Sequence, residues 1–476
     1  MILVIWGINS NALEVIKPNK TLVSKTYVTY YDFLLNIKEQ ISGNIIDAKT
    51  RKAISYANIE VFGTLVGTSS NELGEFILEV DSLPVTIVFS HLNYEKKVVE
   101  VTNTSNLTIQ LTPLVNSLNE VVLSANRKSN YPYELALEAF SKTRKLTDNS
   151  NYGQAFYRQK SKNGDEYTEF SEIIYDTEYT VDGINDLEIL EGRYALKREK
   201  INNSNFTLLS RILKAIQPDT DDIIFPLSYE VKEYYDVKVI DILSSDDEDI
   251  AVLKFLPLPE VQTPAFEGEA YINTKTYEVL KISGTVVNDW LDFIKFREKR
   301  TYTKNYTLSY EMAFKKDSKD VLLIDYIKVD HSFDYYRGDS LVTHVSSTSN
   351  LTYFEHYDTD SSRRFRKSFK DSKSDWETLN KIGYNEKFWI DNPIVKRTPI
   401  EDEVIASFEK DNAFESIFLN TKEQIAFMQS NLRGDVFIEN FDVLLRNYNN
   451  YNPLEKVFLH TDKETYFSGE MIWYNA

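Results

Sequence analysis

Between residues 39 and 125, short runs rich in Val, Ile, Thr and Phe alternate with turn residues. The spacing, about 8–12 positions per strand and turn, predicts an antiparallel sandwich. Strands are expected at 40–46, 57–62, 76–78, 85–89, 97–101 and 107–111, with turns at 47–50 and 71–74. Glycine at 63, 67 and 74 suits positions where the chain turns with positive φ. Residues 126–149 form a helical connector: Pro132 fits a first turn, and Tyr133, Leu137, Phe140 and Leu146 recur at helical spacing. From 150 to 355, long runs alternating Tyr and aliphatic residues with charged ones predict a β-rich domain, a curved antiparallel sheet with one wet face. Within it only residues 203–217 read as helical, with Phe206, Leu209, Ile212 and Leu213 on one side. Residues 356–452 read as a charged linker followed by helices, and Pro399, Glu401, Asp402 and Glu403 suit the first turn of one of them. The fold class expected is mainly β and multi-domain: a transthyretin-like β-sandwich, then a larger curved antiparallel-sheet domain with a few helices.

Composition narrows the function classes. The 476 residues carry 54 Lys and Arg against 73 Asp and Glu, a formal charge of −19. Nucleic acid and anionic lipid both call for a basic surface, so neither is an expected partner. Aromatic residues make up 13% of the chain, enough to build real cores. The absence of cysteine removes disulfides, thiolate nucleophiles, iron–sulfur clusters and cysteine zinc sites. Residues 1–8, MILVIWGI, are far shorter than the roughly 20 apolar residues of a transmembrane helix. They have no basic residue before them, so residues 1–38 are read as an N-terminal segment carrying a damaged or truncated secretory signal, the alternatives being a buried strand or a misplaced start.

The series ISGNIIDAKTRKAISYANIEVFG, GTSSNELGEFILEV, VTIVFSHLNYEKKVVEV, LTIQL and LNEVVLSA resembles the carboxypeptidase-regulatory-like domain. The pattern runs through Gly43, Asp47, Gly67, Gly74, Phe76 and Tyr94, with Ala57 where that family usually has proline. The resemblance implies a transthyretin-type sandwich at 39–125 and a place in the envelope of Bacteroidetes-type bacteria, in the periplasm or at the outer membrane. The segment 267–286 resembles a hairpin of curved half-barrel domains of the lipoprotein-carrier type. The strings FYRQKSKNGDEYTEFSEIIYD (156–176) and KFWIDNPIVKRTPIEDEV (387–404) resemble a large Bacteroidetes family without known activity. Residues 453–476, with LEKVFLHTDKETYFSGEMIWYNA, resemble the opening strands of a macroglobulin-like sandwich. Two strands cannot close such a sandwich, so a truncated chain is expected.

No catalytic constellation emerges. A zinc carboxypeptidase needs His-x-x-Glu, but the residues three beyond His91, His331, His344, His356 and His460 are Tyr94, Asp334, Ser347, Thr359 and Lys463. There is no His-Glu-x-x-His, Gly-x-Ser-x-Gly, Walker loop or Gly-x-Gly-x-x-Gly. The carboxylate runs Asp219/Asp221/Asp222, Asp246–Asp249 and Asp358/Asp360 read as solvated turns, with weak cation sites as the alternative. Tyr234/Tyr235, Tyr335/Tyr336 and Trp290 with Phe293 and Phe296 could stack on sugars, though in β-rich proteins such residues more often fill cores. Glu120, Val121 and Val122 lie in a stretch that resembles a TonB box and could pair as an added strand with an energy-coupling protein; the alternative is a last sandwich strand. No catalytic residue, cofactor or metal is expected. The function expected is a non-enzymatic binding or scaffold protein of the cell envelope, with a protein or glycan partner, no nucleic acid and no transmembrane helix, but an association with the outer membrane. A component of TonB-linked nutrient uptake and an envelope hydrolase are the alternatives.

Overall fold

A computed structural model describes residues 39–116, 130–197, 206–218, 223–244, 248–287, 300–317, 319–357 and 394–410, with isolated positions between 375 and 389, at 413–414, and in a short pairing at 460–461 and 474–475. The N-terminal unit has seven strands: β1 (Glu39–Asp47), β2 (Asn58–Val61), β3 (Gly67–Ser69), β4 (Glu75–Val80), β5 (Val85–His91), β6 (Tyr94–Val101) and β7 (Leu107–Leu111). They form a three-stranded sheet, β4-β1-β7, facing a four-stranded sheet, β3-β2-β5-β6. Alternate residues of β1 point inward, and Ile41 and Ile45 join Ile59, Phe76, Phe89 and Leu111 in a core with almost no exposed area. The β1 exit is closed by Asp47, whose Oδ1 accepts the backbone N–H groups of Lys49 and Thr50 at 2.7 and 2.8 Å. Its Oδ2 accepts the Tyr94 hydroxyl at 3.1 Å, so two positions of the family pattern tie β1 to β6.

After β8 (Val115–Asn116) and the helix α1 (Tyr131–Leu146), ten long strands follow: β9 (Asn151–Asn163), β10 (Glu166–Thr180), β11 (Gly183–Leu196), β12 (Tyr235–Ser244), β13 (Asp249–Pro257), β14 (Ala265–Asn273), β15 (Val279–Val287), β16 (Thr301–Lys316), β17 (Leu322–Arg337) and β18 (Ser340–Tyr357). With β8 they make one 11-stranded sheet, ordered β11-β10-β9-β18-β17-β16-β15-β14-β13-β12-β8. Every neighbouring pair is antiparallel. The chain crosses from β11 to the opposite edge through residues 197–234, then meanders back until β18 pairs with β9. The fold class matches the sequence expectation: mainly β, with a small sandwich followed by a larger curved antiparallel sheet. Register shifts in seven strand pairs supply bulges that bend it.

Successive side chains of each strand go to opposite faces. The inner face carries Tyr157, Tyr175, Ile282, Tyr310 and Leu351 and packs against the crossover and α1. Tyr157 lies against Phe206 with centroids 4.6 Å apart, Phe225 stacks on Phe266, and the Tyr310 hydroxyl reaches the Lys214 carbonyl. Phe266 finds room because Gly268 and Gly284 face each other across β14 and β15; a Cβ at Gly284 would stand 2.5 Å from the Phe266 ring.

Several local expectations change. The wet face is covered where the sandwich, the segment 394–410 and residues 413–414 lie on the outer side, and β10 is buried along nearly its whole length. Of the helix expected at 203–217, the described residues form only α2 (Phe206–Leu209) and one 3₁₀ turn. Tertiary partners take over its backbone: Asp375 accepts the Thr207 N–H, and Asp182 accepts those of Ala215 and Ile216. In α1 the buried stripe is Leu135, Ala136, Ala139, Phe140 and Thr143, while Tyr133, Leu137 and Leu146 are half-buried, because the two alanines let the helix approach the sheet closely. His356 and Tyr357, expected in a linker, end β18. A short helix, α3 (Val231–Tyr234), precedes β12, and α4 (Pro399–Lys410) lies where a helix was expected.

Candidate functional site

Two features lie between the sandwich and the outer face of the large sheet. The first is a buried charged clamp. Arg158 on β9 sits opposite Glu172 on β10, which in turn sits opposite Arg193 on β11, so the register alone stacks the three in one row. Arg158 Nε donates to Glu172 Oε1 at 2.7 Å, and Arg193 donates to Oε2 at 2.6 Å through Nη2. Arg158 Nη1 and Lys160 Nζ reach the two oxygens of Glu401 at 3.0 and 3.1 Å, and Lys160 also faces Glu72 at 3.7 Å. Three cations meet three carboxylates, so the cluster is balanced. Burial alone would raise the Glu172 carboxyl, but the two guanidiniums overcome it and hold it at about 2. Glu401 is also held below its ordinary value, burial being outweighed by Arg158 and Lys160.

Glu401 does a second job. Its Oε2 accepts the Thr398 N–H at 2.8 Å, and the Thr398 hydroxyl accepts the Glu401 N–H at 3.3 Å, a reciprocal capping box at the start of α4. The segment just before it straps the sandwich down. Thr68 Oγ1 donates to the Ile394 carbonyl, Asn71 donates to the Lys396 carbonyl, Lys396 pairs with Glu75, and Arg158 donates to the Val395 carbonyl. One side chain thus joins the sheet, the helix and the strap.

The second feature is a cleft of about 800 Å³ beside the clamp, with one wall from β2 and β5 of the sandwich and the other from the large sheet. Its polar floor holds Lys315, whose ammonium lies 3.2 Å from Asn58 Oδ1, 3.3 Å from Glu60 and 3.9 Å from Asp325. Asp325 is the extra residue of a β-bulge: β17 pairs Ile324 with Phe314 and Tyr326 with Ala313, leaving Asp325 between them. Leu280, also at the cleft, is the extra residue of the β14–β15 bulge. Asp325 is 7% exposed, and burial pushes its carboxyl up to about 6 against the pull of Lys315. His91, at the rim, is held down at about 4 by burial and the charge of Lys281. The far end of the cleft closes where Leu92 and Leu114 pack on Leu243, Ile250 and Val252.

Of the residues singled out in the sequence, His91, Tyr94 and Glu248 line the cleft and Glu401 belongs to the clamp. Glu120, Val121 and Val122 lie outside the described residues, as do Asp219, Asp221, Asp222, Asp246, Asp247, Asp358, Asp360, Trp290, Phe293 and Phe296. Glu248 and Asp249 are exposed. Tyr235 and Tyr335 are buried, and Tyr336 stacks on Tyr302. Among the described residues no group of three or more His, Asp or Glu is placed to hold a metal ion. The clamp and the cleft went unread, although each left a trace: Thr398-Pro399-Ile400-Glu401 is a capping-box string, and Asp325 is a lone charge within the apolar run VLLIDYI.

Residues 41–123 match the family of CarboxypepD_reg-like domains, which supports the resemblance drawn from the N-terminal pattern. No curated protein matches the chain. Among solved structures, a DUF1329 family protein from Desulfovibrio piger is 13% identical, with 48% of this chain and 95% of that one covered and a TM-score of 0.20. A supposed membrane-associated protein of unknown function from Bacteroides fragilis is 11% identical, with 67% of this chain and 99% of that one covered and a TM-score of 0.13.

Proposed function

We propose that the chain is a non-enzymatic binding protein of the cell envelope, and that it takes up its partner in the cleft between the sandwich and the large sheet. The observation that carries this reading is the cleft itself. It is of ligand size, lies between two separately cored units, and is lined by a strip of charged side chains and a strip of apolar ones. The clamp and strap tie the sandwich to the sheet that forms the other wall, and a preformed site limits the entropy lost on binding. The envelope location rests on the N-terminal domain family and its resemblance to envelope proteins.

The natural chain lacks cysteine, which makes a clean test available. Glu95→Cys at the cleft mouth and Asp81→Cys, exposed before β5 at the end of that strand remote from His91, are each labelled with a photo-crosslinking maleimide. The labelled proteins are irradiated in cells and recovered from separated envelope and cytoplasmic fractions. Adducts from position 95 alone, in the envelope fraction, are the expected result. Equal labelling from both positions, or recovery in the cytoplasmic fraction, overturns the reading.

A further inference from the structure

Resting on that reading of the cleft, we propose that its occupant is a neutral, hydroxyl-rich ligand, an oligosaccharide segment, hydrogen-bonded by Asp325, Glu60 and Lys315. Asp325 is the key. A carboxylate offers about four lone-pair sites. Asp325 has no hydrogen bond from any described residue, and its nearest cation, Lys315 Nζ, stands at 3.9 Å. It is nonetheless 7% exposed and borders the cleft. Bordering the cleft, the carboxylate offers these lone pairs to whatever occupies it. The bulge that turns it toward the cleft is the kind of irregularity that re-aims a side chain at a site.

The surrounding charges select the ligand class. Lys315 already sits between Glu60 and Asp325, so a second ammonium would be repelled by it. An anion would meet the two carboxylates. A metal ion would have to displace the lysine, and no metal-binding group of side chains forms among the described residues. A neutral donor-and-acceptor group satisfies all three: one hydroxyl donates to Asp325 or Glu60, and its neighbour accepts from Lys315. Val88, Leu92 and Leu280 line the same cleft and can cover the C–H face of a sugar ring.

The test is a glycan array of neutral and amino-sugar oligosaccharides probed with the whole chain, with each hit repeated by titration calorimetry. The expected result is binding by neutral oligosaccharides and not by those bearing a free ammonium, weakened at least tenfold by Asp325→Asn and by Lys315→Met. A circular dichroism spectrum like that of the natural chain confirms that the variants fold, and Asp325→Asn, which only removes a buried charge, is expected to fold. The proposal fails if no glycan binds or if the variants bind hits as tightly as the natural chain. A peptide or protein adduct at position 95 together with a blank array would sink the sugar proposal and leave the cleft reading intact. A blank array with no adduct specific to position 95 would sink both.

Discussion

Replacing Glu401 by glutamine tests the clamp, because the change keeps the shape of the side chain and removes only its charge. Glu401 is 5% exposed, and its two oxygens hold Arg158 at 3.0 Å and Lys160 at 3.1 Å. Arg158 keeps Glu172 in the variant, but Lys160 keeps only the distant and half-exposed Glu72. Removing one partner of a buried ion pair costs about 3–5 kcal/mol; the remaining Glu172 and the retained amide oxygen for the Thr398 N–H place the loss near the lower end, about 3 kcal/mol. Glu401→Ala also loses the capping box and should cost about 1 kcal/mol more. A multi-domain chain need not unfold in one step, so the readout is native-state hydrogen exchange at amides of the strap and of α4. About 3 kcal/mol corresponds to a loss of protection of roughly a hundredfold in those amides. The sign with pH is fixed as well. The folded Glu401 carboxyl lies below its unfolded value, so its contribution is present above the unfolded value and lost as pH falls through the folded one. The difference between natural chain and variant must therefore shrink in acid. A loss of protection under threefold, or a difference that persists unchanged at low pH, would refute the claim that Glu401 joins sheet, helix and strap.

Other outcomes follow from the same geometry. Asp325 has a folded value near 6 against an unfolded value of 3.8, so its charged form opposes folding above pH 6, by about 3 kcal/mol at most. Lys315 and Glu60 are the charged groups that face it. Asp325→Asn should therefore raise the melting temperature at pH 8 and lose that advantage by pH 4; a variant less stable than the natural chain at pH 8 would contradict the reading. Gly284→Ala forces a Cβ to 2.3 Å from the Glu267 carbonyl and 2.5 Å from the Phe266 ring, and should destabilise the large sheet by about 1–3 kcal/mol in urea unfolding. Leu92→Ala with Leu114→Ala strips the apolar contact at the far end of the cleft; faster proteolysis between the sandwich and the sheet is expected, with the sandwich core itself unchanged.

The strands were legible where burial was one-sided or continuous. Residues 107–111 and the runs that became β9, β10, β16 and β17 carry their pattern openly. β11 did not, because Gly183, Asn185, Asp186 and Gly192 give GINDLEILEGRYAL the look of turns, and two bulges break its alternation. The site was harder to see for a different reason. Arg158, Glu172 and Arg193 fall on three strands, and their meeting depends on register, which no local pattern encodes. Glu401 lies 243 positions from the arginine it pairs with. Asp325 carries a signal in its apolar surroundings, but whether that charge faces a cleft or a core is decided by a single extra residue in β17.

The strap also sets a timetable. Thr68 and its acceptor at Ile394 are 326 residues apart, and the large sheet closes only when β18 reaches β9. A chain emerging from a ribosome or through a membrane pore can complete the sandwich early, since all its strands lie before residue 112. The ionic row on β9–β11 then waits, with Arg158 and Lys160 uncapped, until α4 arrives almost 250 residues later. Contacts this distant in sequence slow folding and lengthen the time for which partly assembled sheet is exposed. Assembly of this protein should thus be the step most sensitive to chaperone supply, with the sandwich already finished while its dock is still being built.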